Sequence, residues 1–424
     1  MRRALALGYE GMAQVARAVA AMAPRSRNKL LDTFAARRGV RARFASFRRD
    51  PMRPLLWMHA PSVGEGLQAR PILELARRGE PGAQLAYTYF SPSAQPFADT
   101  LDVDFRDVLP FDAASDMRAA LDALLPTALV FSKLDVWPTL TREATRRGTR
   151  LGLVSATLAV SSSRRSGLAS ILLRDAYARL DRVGAISAAD ADRLVTLGVP
   201  ADRIRITGDT RYDQVWARAQ AVDRTGALLA PLRSGRPTVV AGSTWPSDEA
   251  QLLPAWTRLV ARHRDARLIL AAHEPTPTHL APLESWAASA NLSVARLGDP
   301  AAGAADVVIV DRVGVLGELY ALADVAFVGG AFHAAGLHSV LEPAAFGAPV
   351  LFGPENRASR DARLLLDAGA GVEAVDAEAL ERALERWIAS PADRTAAGTA
   401  AHGVVHEGLG AAVRSWELVR ELLR

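Results

Sequence analysis

The feature that most constrains this chain is a repeated alternation of short apolar segments with longer segments of helical spacing. Between residues 55 and 207, six apolar segments of strand length alternate with five amphipathic segments. The alternation pauses at 208–237, and a second series of the same kind follows. Such alternation is typical of a mostly parallel sheet with helices on both faces. The sequence therefore predicts an α/β protein built from two Rossmann-like halves that face a central cleft.

The predicted elements can be given by residue number. In the first series, strands are predicted near 55–59, 84–89, 127–132, 150–155, 182–186 and 203–207, and helices near 66–78, 115–124, 137–147, 165–178 and 188–197. One helix is predicted over 212–229 in the pause. In the second series, strands are predicted near 238–241, 267–271, 292–296, 306–310, 324–328, 348–352 and 371–374, and helices near 246–263, 276–289, 314–323, 339–346, 358–368 and 377–389.

A length of 424 residues also favours two domains. The predicted division has five parts: a basic N-terminal segment (1–50), a first Rossmann-like domain (51–210), a linker (211–236), a second Rossmann-like domain (237–403) and a closing helix that crosses back (404–424). Clefts between such domains bind nucleotides and sugars.

The positive charge of the chain is concentrated at its N-terminus. Residues 1–50 contain twelve basic and three acidic residues, so they carry +9, and the rest carries −4 of the total +5. Apolar residues with helical spacing lie in the same stretch: Leu5, Tyr9, Met12, Val15 and Val19. An interfacial helix on an anionic membrane fits this pattern, and so does a solvated helix packed on its own domain. Nucleic acid is disfavoured because the remainder of the chain is acidic.

Several chemistries are excluded or unsupported. The chain has no cysteine, which excludes disulfides, thiolate metal sites and cysteine nucleophiles. No segment reaches the ~18–20 continuous apolar residues of a membrane span. There is no HExxH motif, P-loop or GxSxG elbow. We therefore expect no metal site and no bound cofactor.

One carboxylate lies where open α/β sheets place their ligands. The stretch His59-Ala60-Pro61-Ser62-Val63-Gly64-Glu65 follows the apolar segment Leu55–Met58 and precedes a helical pattern. Glu65 therefore lies at a strand-to-helix junction. A structural role is also possible, since a carboxylate in a first turn complements the helix dipole. Ser62 and Gly64 belong to the same turn and are candidates for acceptor binding.

The second half contains a similar junction. Ala241-Gly242-Ser243-Thr244-Trp245-Pro246 ends its first strand and opens a helix. Hydroxyls and free N–H groups at this place can hold a phosphate, with Gly242 admitting a ligand to the backbone. Ordinary N-capping by Ser243 or Thr244 is the alternative.

Further candidates follow other strands of the second half. Gly329-Gly330 follows one strand, and His338, Ser339 and Glu342 open the next helix. Ser339 and Glu342 have the spacing of a capping box, whereas Glu342 and His338 could instead hold a ribose or base edge. Asn356 ends the next turn, at another carboxyl end of a strand.

Two charged pairs complete the set of candidates. Lys133 and Asp135 follow a strand of the first half. They could pair with each other on the surface, or Lys133 could bind an anionic sugar acid while Asp135 orients it. His273 and Glu274 follow a strand of the second half and are candidates for donor binding, although a single histidine in that place is more often structural.

In combination, these motifs resemble the Kdo transferases, which add 3-deoxy-D-manno-octulosonic acid (Kdo) to lipid A precursors. The resemblance covers about residues 25–375. It rests on the order of these motifs: His59-Ala60-x-Ser62-Val63-Gly64-Glu65, Asp135-x-Trp137-Pro138, Gly208-Asp209-Thr210-Arg211-Tyr212-Asp213, Ala241-Gly242-Ser243-Thr244, Gly329-Gly330, and Leu341-Glu342-Pro343-Ala344-Ala345-Phe346-Gly347-x-Pro349-Val350-x-Phe352-Gly353-Pro354.

The resemblance implies a GT-B fold, with acceptor binding in the N-terminal domain and a CMP-Kdo donor in the C-terminal domain. It implies that Glu65 is the catalytic base and that Ser243 and Thr244 hold the donor phosphate. Four residues would line the cytidine–ribose pocket: Gly329, Gly330, His338 and Glu342. The expected reaction inverts the anomeric centre without a metal, on a lipid A precursor (lipid IVA) at the cytoplasmic face of the inner membrane.

Some positions depart from the family pattern. Many members have Glu-Thr-Glu-Leu-Trp-Pro where this chain has Lys133-Leu134-Asp135-Val136-Trp137-Pro138. Many have Arg-His-Pro-Glu where this chain has Ala272-His273-Glu274-Pro275, so an expected donor-binding arginine is absent. Gly-Gly-His-Asn becomes Gly336-Leu337-His338-Ser339. Alternatives are therefore a GT-B transferase or epimerase that uses another nucleotide sugar, or a catalytically silent membrane-associated homologue.

Overall fold

The computed structural model describes residues 2–22, 28–159, 162, 164, 167–334 and 336–424. The chain divides into two compact units. The first unit comprises Met1–Gln214 together with Leu409–Arg424, and the second comprises Val215–Gly408. Each contains one seven-stranded sheet in which all neighbouring strands are parallel.

The first sheet has its strands in the order β3-β2-β1-β4-β5-β6-β7. The strands are β1 (Leu55–His59), β2 (Gln84–Tyr89), β3 (Phe105–Val108), β4 (Ala128–Ser132), β5 (Arg150–Ala156), β6 (Arg182–Ala185) and β7 (Ile204–Ile206). Central strands such as β1 and β4 are buried along their whole length, because helices cover both faces of the sheet. The strand order reverses between β1 and β4, which makes their carboxyl ends the expected ligand site.

Ten α-helices begin in the described part of residues 1–214. They are α1 (Arg2–Met22), α2 (Lys29–Ala36), α3 (Val40–Ala45), α4 (Val63–Gly79), α5 (Gln95–Ala98), α6 (Ala114–Leu124), α7 (Pro138–Arg146), α8 (Gly167–Tyr177), α9 (Ala188–Leu197) and α10 (Thr210–Gln220). The start of the helix predicted over 165–178 lies outside the described residues, because 165 and 166 are not described.

The second sheet has the order β10-β11-β9-β8-β12-β13-β14. Its strands are β8 (Thr238–Thr244), β9 (Arg267–Ala272), β10 (Val294–Arg296), β11 (Val307–Ile309), β12 (Val325–Val328), β13 (Val350–Phe352) and β14 (Gly371–Glu373). Its helices are α11 (Pro246–Arg262), α12 (Pro277–Ser289), α13 (Leu316–Leu319), α14 (Leu341–Ala345), α15 (Arg360–Asp367), α16 (Ala377–Ala389) and α17 (Pro391–Glu407). Here the strand order reverses between β8 and β12.

The last helix, α18 (Ala411–Arg420), belongs to the first unit. Asp213 accepts hydrogen bonds from the backbone N–H groups of Gly410 (2.8 Å) and Ala412 (2.9 Å), which fixes the start of the helix. Arg414 donates to the carbonyl oxygen of Thr207 at 3.0 Å. The prediction of a closing helix that crosses back is confirmed, although residues 404–424 form the end of α17 and the separate helix α18.

Several other elements differ from the prediction. The helix predicted over 314–323 is reduced to α13 followed by a short 3₁₀ turn, Tyr320–Leu322. Strand β3 was missed because Arg106 and Asp107 interrupt its apolar pattern, which an edge strand tolerates. The helix predicted over 212–229 ends at Gln220. Leu229 and Leu232, which fall in the predicted linker, are buried in the core of the second unit. The second unit therefore begins earlier than predicted.

The N-terminal helix α1 has two different faces. One face packs on the first unit, where Tyr9 donates to Asp112 at 2.9 Å and Glu10 accepts from the N–H of Ala114 at 2.9 Å. The opposite face exposes apolar side chains, including Met12 (67% exposed) and Val15 (64% exposed). The helix thus has the contacts of a helix packed on its own domain and the exposed apolar stripe of an interfacial helix. No described helix is long and apolar enough to cross a membrane.

Candidate active site

The first candidate site lies at the switch point of the first unit. Ser62 is the N-cap of α4, and Glu65 lies in the first turn of that helix, as predicted. The Glu65 carboxylate accepts a hydrogen bond from the Ser62 hydroxyl, and its other oxygen lies 3.4 Å from the Lys133 ammonium. The Glu65 side chain is 19% exposed. It is therefore held in place on two sides and still accessible to a ligand.

Lys133 reaches Glu65 from an unusual backbone conformation. It follows β4 with φ of +65°, and its N–H donates to the carbonyl oxygen of Val154 at 2.8 Å. A positive φ is an unfavourable backbone conformation for a residue other than glycine, and such residues cluster at functional sites. The predicted Lys133–Asp135 pair is wrong, because the left-handed turn carries the ammonium towards Glu65 instead.

Asp135 belongs to a separate, partly buried network. Its Oδ2 lies 3.1 Å from His59 Nε2 and accepts from Trp137 Nε1 at 2.9 Å, while His59 Nδ1 lies 3.0 Å from the Thr88 hydroxyl. Burial pushes the pKa of Asp135 upwards, but its interactions with His59 and Trp137 outweigh burial and lower the pKa below its ordinary value. Asp135 is therefore a carboxylate that holds the His59 and Trp137 side chains in place. Gly64, in the first turn of α4, is exposed.

The second candidate site lies at the switch point of the second unit, where β8 ends. Ser243 has φ of +54°, and the pairing of β8 with β9 is irregular between Gly242 and Thr244. Thr244 is fully buried, and its hydroxyl donates to Glu249 at 2.7 Å. That donor is used within the protein, so the expectation that the Thr244 hydroxyl holds a phosphate is not met. N-capping by Ser243 or Thr244 is also wrong, because the N-cap of α11 is Trp245.

One hydroxyl without a described partner nevertheless lies at the start of α11. Ser247 is in the first turn, and its buried hydroxyl is without a partner among the described residues. Ser247 was not predicted as a site residue, although its position as the second residue of a helix was a usable signal. Gly242 does not admit a ligand as expected, because a Cβ there would lie 2.1 Å from the Tyr320 hydroxyl.

The Gly329-Gly330 turn packs directly against this strand end. A Cβ at Gly329 would lie 2.3 Å from the carbonyl oxygen of Ser243, so only glycine permits this approach. Buried Asp248 accepts from the N–H groups of Trp245 (2.8 Å), Gly330 (2.8 Å) and Phe332 (3.1 Å). The two glycines therefore shape the turn, which is a structural reason for their presence beside any contact with a ligand.

Aromatic rings collect beside the same turn. The ring centroid of Trp245 lies 4.5 Å from that of His273 and 5.1 Å from that of His333, and the rings of His273 and His338 are 4.7 Å apart. Trp245 Nε1 also donates to His338 Nε2 at 3.2 Å. Burial, together with the neighbouring His273, lowers the pKa of His338, so this imidazole is neutral near pH 7. His273 and His338 were predicted as site residues from the sequence, whereas Trp245 and His333 were not.

Three other predicted residues have different surroundings. Glu342 lies 3.7 Å from Arg218, and burial raises the pKa of Glu342 against the opposing effect of that arginine. The predicted capping box is wrong, since α14 begins after Val340 and exposed Ser339 does not cap it. The Asn356 amide donates to Gly353 and Glu373, so it closes the turn after β13.

Most predicted residues thus fall into one group per unit. Ser62, Gly64, Glu65 and Lys133 surround the end of β1, while Ser243, Gly329, Gly330, His273 and His338 surround the end of β8. Glu274 is exposed, and its carbonyl oxygen accepts from His279 Nδ1 at 3.1 Å. Within the described ranges, no three His, Asp or Glu side chains are arranged to hold a metal ion.

Comparison with known proteins identifies the family. A family model for 3-deoxy-D-manno-octulosonic-acid transferase (kdotransferase) matches residues 38–214. The 3-deoxy-D-manno-octulosonic acid transferase of Bordetella pertussis is 33% identical over 391 residues, which covers 88% of each chain. The chain belongs to the Kdo transferase family. The transferase of Haemophilus influenzae is 25% identical and covers 87% of each chain.

Solved structures agree on the fold of this Kdo transferase family member. The UDP-GlcNAc 2-epimerase of Neisseria meningitidis superposes with a TM-score of 0.64 at 11% identity, covering 87% of this chain and 99% of the epimerase. A glycosyltransferase from Rickettsia africae gives a TM-score of 0.58 at 13% identity, covering 88% and 99%. The predicted GT-B fold class is confirmed, and the chain is a glycosyltransferase.

Proposed function

We propose that this chain transfers Kdo from CMP-Kdo to a lipid A precursor (lipid IVA) in lipopolysaccharide core biosynthesis, with inversion and without a metal. The observation that carries the proposal is the environment of Glu65. A carboxylate at a helix N-terminus, held by Ser62 and Lys133 yet accessible, has the position of a general base for an acceptor hydroxyl.

The chemistry in the first unit follows from these contacts. Glu65 takes the proton of the acceptor hydroxyl as that oxygen attacks the anomeric carbon of Kdo. Lys133 keeps Glu65 oriented and presents a cation to the carboxylate of the transferred sugar acid or to a phosphate of the acceptor. Because the bond to the leaving group breaks as the new bond forms on the opposite side, the anomeric centre inverts.

The second unit would receive the donor. The strained Ser243 turn and the unpartnered Ser247 hydroxyl supply donors for the leaving phosphate at the start of α11, where the helix dipole favours a negative charge. Neutral His338 and the Trp245 ring offer apolar faces for a base. Glu342 can accept from ribose hydroxyls. Donors that stabilise the phosphate in this way replace the role of a metal ion.

A CMP-release assay tests the proposal. Purified chain would be incubated with CMP-Kdo and a tetraacylated lipid A precursor, with UDP-sugars as alternative donors and with EDTA. We expect CMP release that depends on the acceptor and persists in EDTA. Loss of turnover in EDTA would contradict the metal-free mechanism, and turnover of UDP-sugars alone would favour another nucleotide-sugar enzyme. Absence of turnover with every donor would indicate a silent homologue.

The same proposal includes association with the cytoplasmic face of the inner membrane. The exposed face of α1 carries Met12, Val15 and Met22 (80% exposed), next to the region of highest positive charge. An apolar helix face with nearby cations binds anionic bilayers. No nucleic-acid partner is proposed.

Vesicle flotation tests the membrane part. The wild type should float with anionic vesicles and bind zwitterionic ones more weakly. A Met12→Asp/Val15→Asp variant should lose about tenfold or more in partitioning. Val313→Asp, which changes another highly exposed valine (76%) in the second unit, is the control. Unchanged flotation of the double variant would contradict the assignment of α1.

A further inference from the structure

A buried charged pair lies directly behind the donor turn of the second unit. Glu249, in the first turn of α11, accepts the Thr244 hydroxyl at 2.7 Å. His279, in the first turn of α12, has Nε2 at 3.0 Å from both carboxylate oxygens of Glu249. The two side chains are 14% (His279) and 7% (Glu249) exposed. The contacts thus run from α12 through Glu249 to the end of β8.

Both ring nitrogens of His279 face oxygen acceptors. Its Nδ1 lies 3.1 Å from the carbonyl oxygen of Glu274. Its Nε2 lies 3.0 Å from both carboxylate oxygens of Glu249. The His279 side chain is therefore placed to pair with Glu249 and to compensate its charge.

Compensation of the Glu249 charge is important because the proposed phosphate site lies next to Thr244. Ser243, with its strained backbone, and Ser247, with its unpartnered hydroxyl, provide the proposed site for a phosphate. Glu249 contacts the side chain of Thr244, the residue after Ser243. Without a compensating cation, the Glu249 carboxylate would repel the phosphate in a region of low dielectric constant. No other described cation forms an ion pair with Glu249.

We propose that His279 is a positioning residue of the donor site, which compensates the charge of Glu249 so that the Ser243–Ser247 turn accepts an anionic leaving group. Glu249 in turn fixes Thr244 and hence the strand end. The inference rests on the proposed function, since it needs the donor phosphate at this turn.

Binding of CMP by titration calorimetry, on the full chain without acceptor, tests the inference. His279→Gln leaves Glu249 uncompensated and should weaken the Kd for CMP about 10–100-fold. Glu249→Gln/His279→Gln removes both charges and should bind CMP within about threefold of the wild type. This rescue is specific to charge compensation, because a role in packing alone would make the double variant the weaker binder.

The control is His263→Gln, which breaks a second histidine–carboxylate pair, with Glu385 at 2.7 Å, at the C-terminal end of α11. It should bind CMP like the wild type. If His279→Gln also binds like the wild type, or if the double variant is no better than the single one, the role of His279 is overturned while the proposed function stands. If the wild type itself does not bind CMP, both are overturned.

Discussion

Glu65 and Asp248 occupy the same place in the two units, and their environments are opposite. Each is the third residue of the helix that follows the first strand of its sheet, at the switch point. Asp248 is fully buried and accepts three backbone N–H groups. Glu65 accepts one hydroxyl, faces one ammonium and stays partly exposed. The same topological position therefore contains a structural carboxylate in one unit and a candidate catalytic one in the other.

The strand across each switch point explains the difference. In the second unit, β12 is followed by Gly329-Gly330, and without side chains this turn approaches closely enough to give its N–H to Asp248. In the first unit, β4 is followed by Lys133, whose side chain meets Glu65. Fold position alone does not make a carboxylate catalytic. The neighbouring turn decides its role: the turn either donates backbone N–H groups to the carboxylate and buries it, or leaves the carboxylate accessible to a ligand.

The largest expected effect is on turnover, and it should distinguish Glu65 from Asp248. Glu65→Gln should lower turnover by about 10²–10⁴-fold, because the amide cannot accept the acceptor proton. Binding of CMP and the free energy of unfolding should change little. The measurement is CMP release under saturating donor and acceptor. Glu74→Gln, on the exposed side of the same helix, is the matched control, and equal turnover of the two variants would remove Glu65 from the mechanism.

The second effect distinguishes Asp248 from Glu65 by the free energy of unfolding. In the wild type, backbone N–H groups donate to the carboxylate oxygens of Asp248. In Asp248→Asn, an NH₂ group takes the place of one of these oxygens and cannot accept. The substitution should therefore lower the free energy of unfolding by about 3 kcal/mol. Denaturant unfolding measures this. Glu274→Gln, an exposed carboxylate of the same unit, should stay within about 0.5 kcal/mol of the wild type. An unaltered unfolding midpoint for Asp248→Asn would mean that Asp248 is not the structural counterpart of Glu65.

The third effect uses pH to compare buried carboxylates. Glu249 has His279 as a partner, whereas Asp112 pairs with no described cation, and burial raises its pKa to about 7. The native state then holds the proton more tightly than the unfolded chain, whose aspartates titrate near 4. This contribution to stability is therefore present at low pH and is lost as pH rises towards 7.

Unfolding at several pH values checks the sign. Between about pH 5 and about pH 7, the wild type should lose about 2 kcal/mol of stability relative to Asp112→Asn, which cannot titrate. Parallel pH profiles for the two proteins would show that the three donors to Asp112 (Tyr9, Thr139 and Leu140) keep it ionised.

The smallest effect concerns strain at the strand ends. Ser243 and Lys133 both have positive φ. Ser243→Gly should be about 1 kcal/mol more stable than Ser243→Ala, because glycine alone relieves the strain while both variants lack the hydroxyl. Thermal unfolding of the pair measures the difference. Lys133→Gly compared with Lys133→Ala should give a similar result in the first unit, and equal stabilities within each pair would show that neither turn is strained.

Much of this protein could be predicted from the order of its residues alone. The apolar segments predicted the buried strands because a sheet covered on both faces needs continuous apolar runs. The junctions at Glu65 and Ser243 were predictable because ligand sites in open α/β sheets follow the strand ends. Strand β3 was not, since its charged residues at a sheet edge resemble a loop.

The partners of the polar side chains were decided only by tertiary structure. Lys133 pairs with Glu65 rather than Asp135, and Thr244 donates to Glu249 rather than to a ligand. Nor could the sequence distinguish Glu65 from Asp248. Local spacing determines which face of a strand or helix a residue occupies. The choice among hydrogen-bond partners depends on distances between strands and turns that are far apart in the chain, and those distances exist only once the sheets have formed.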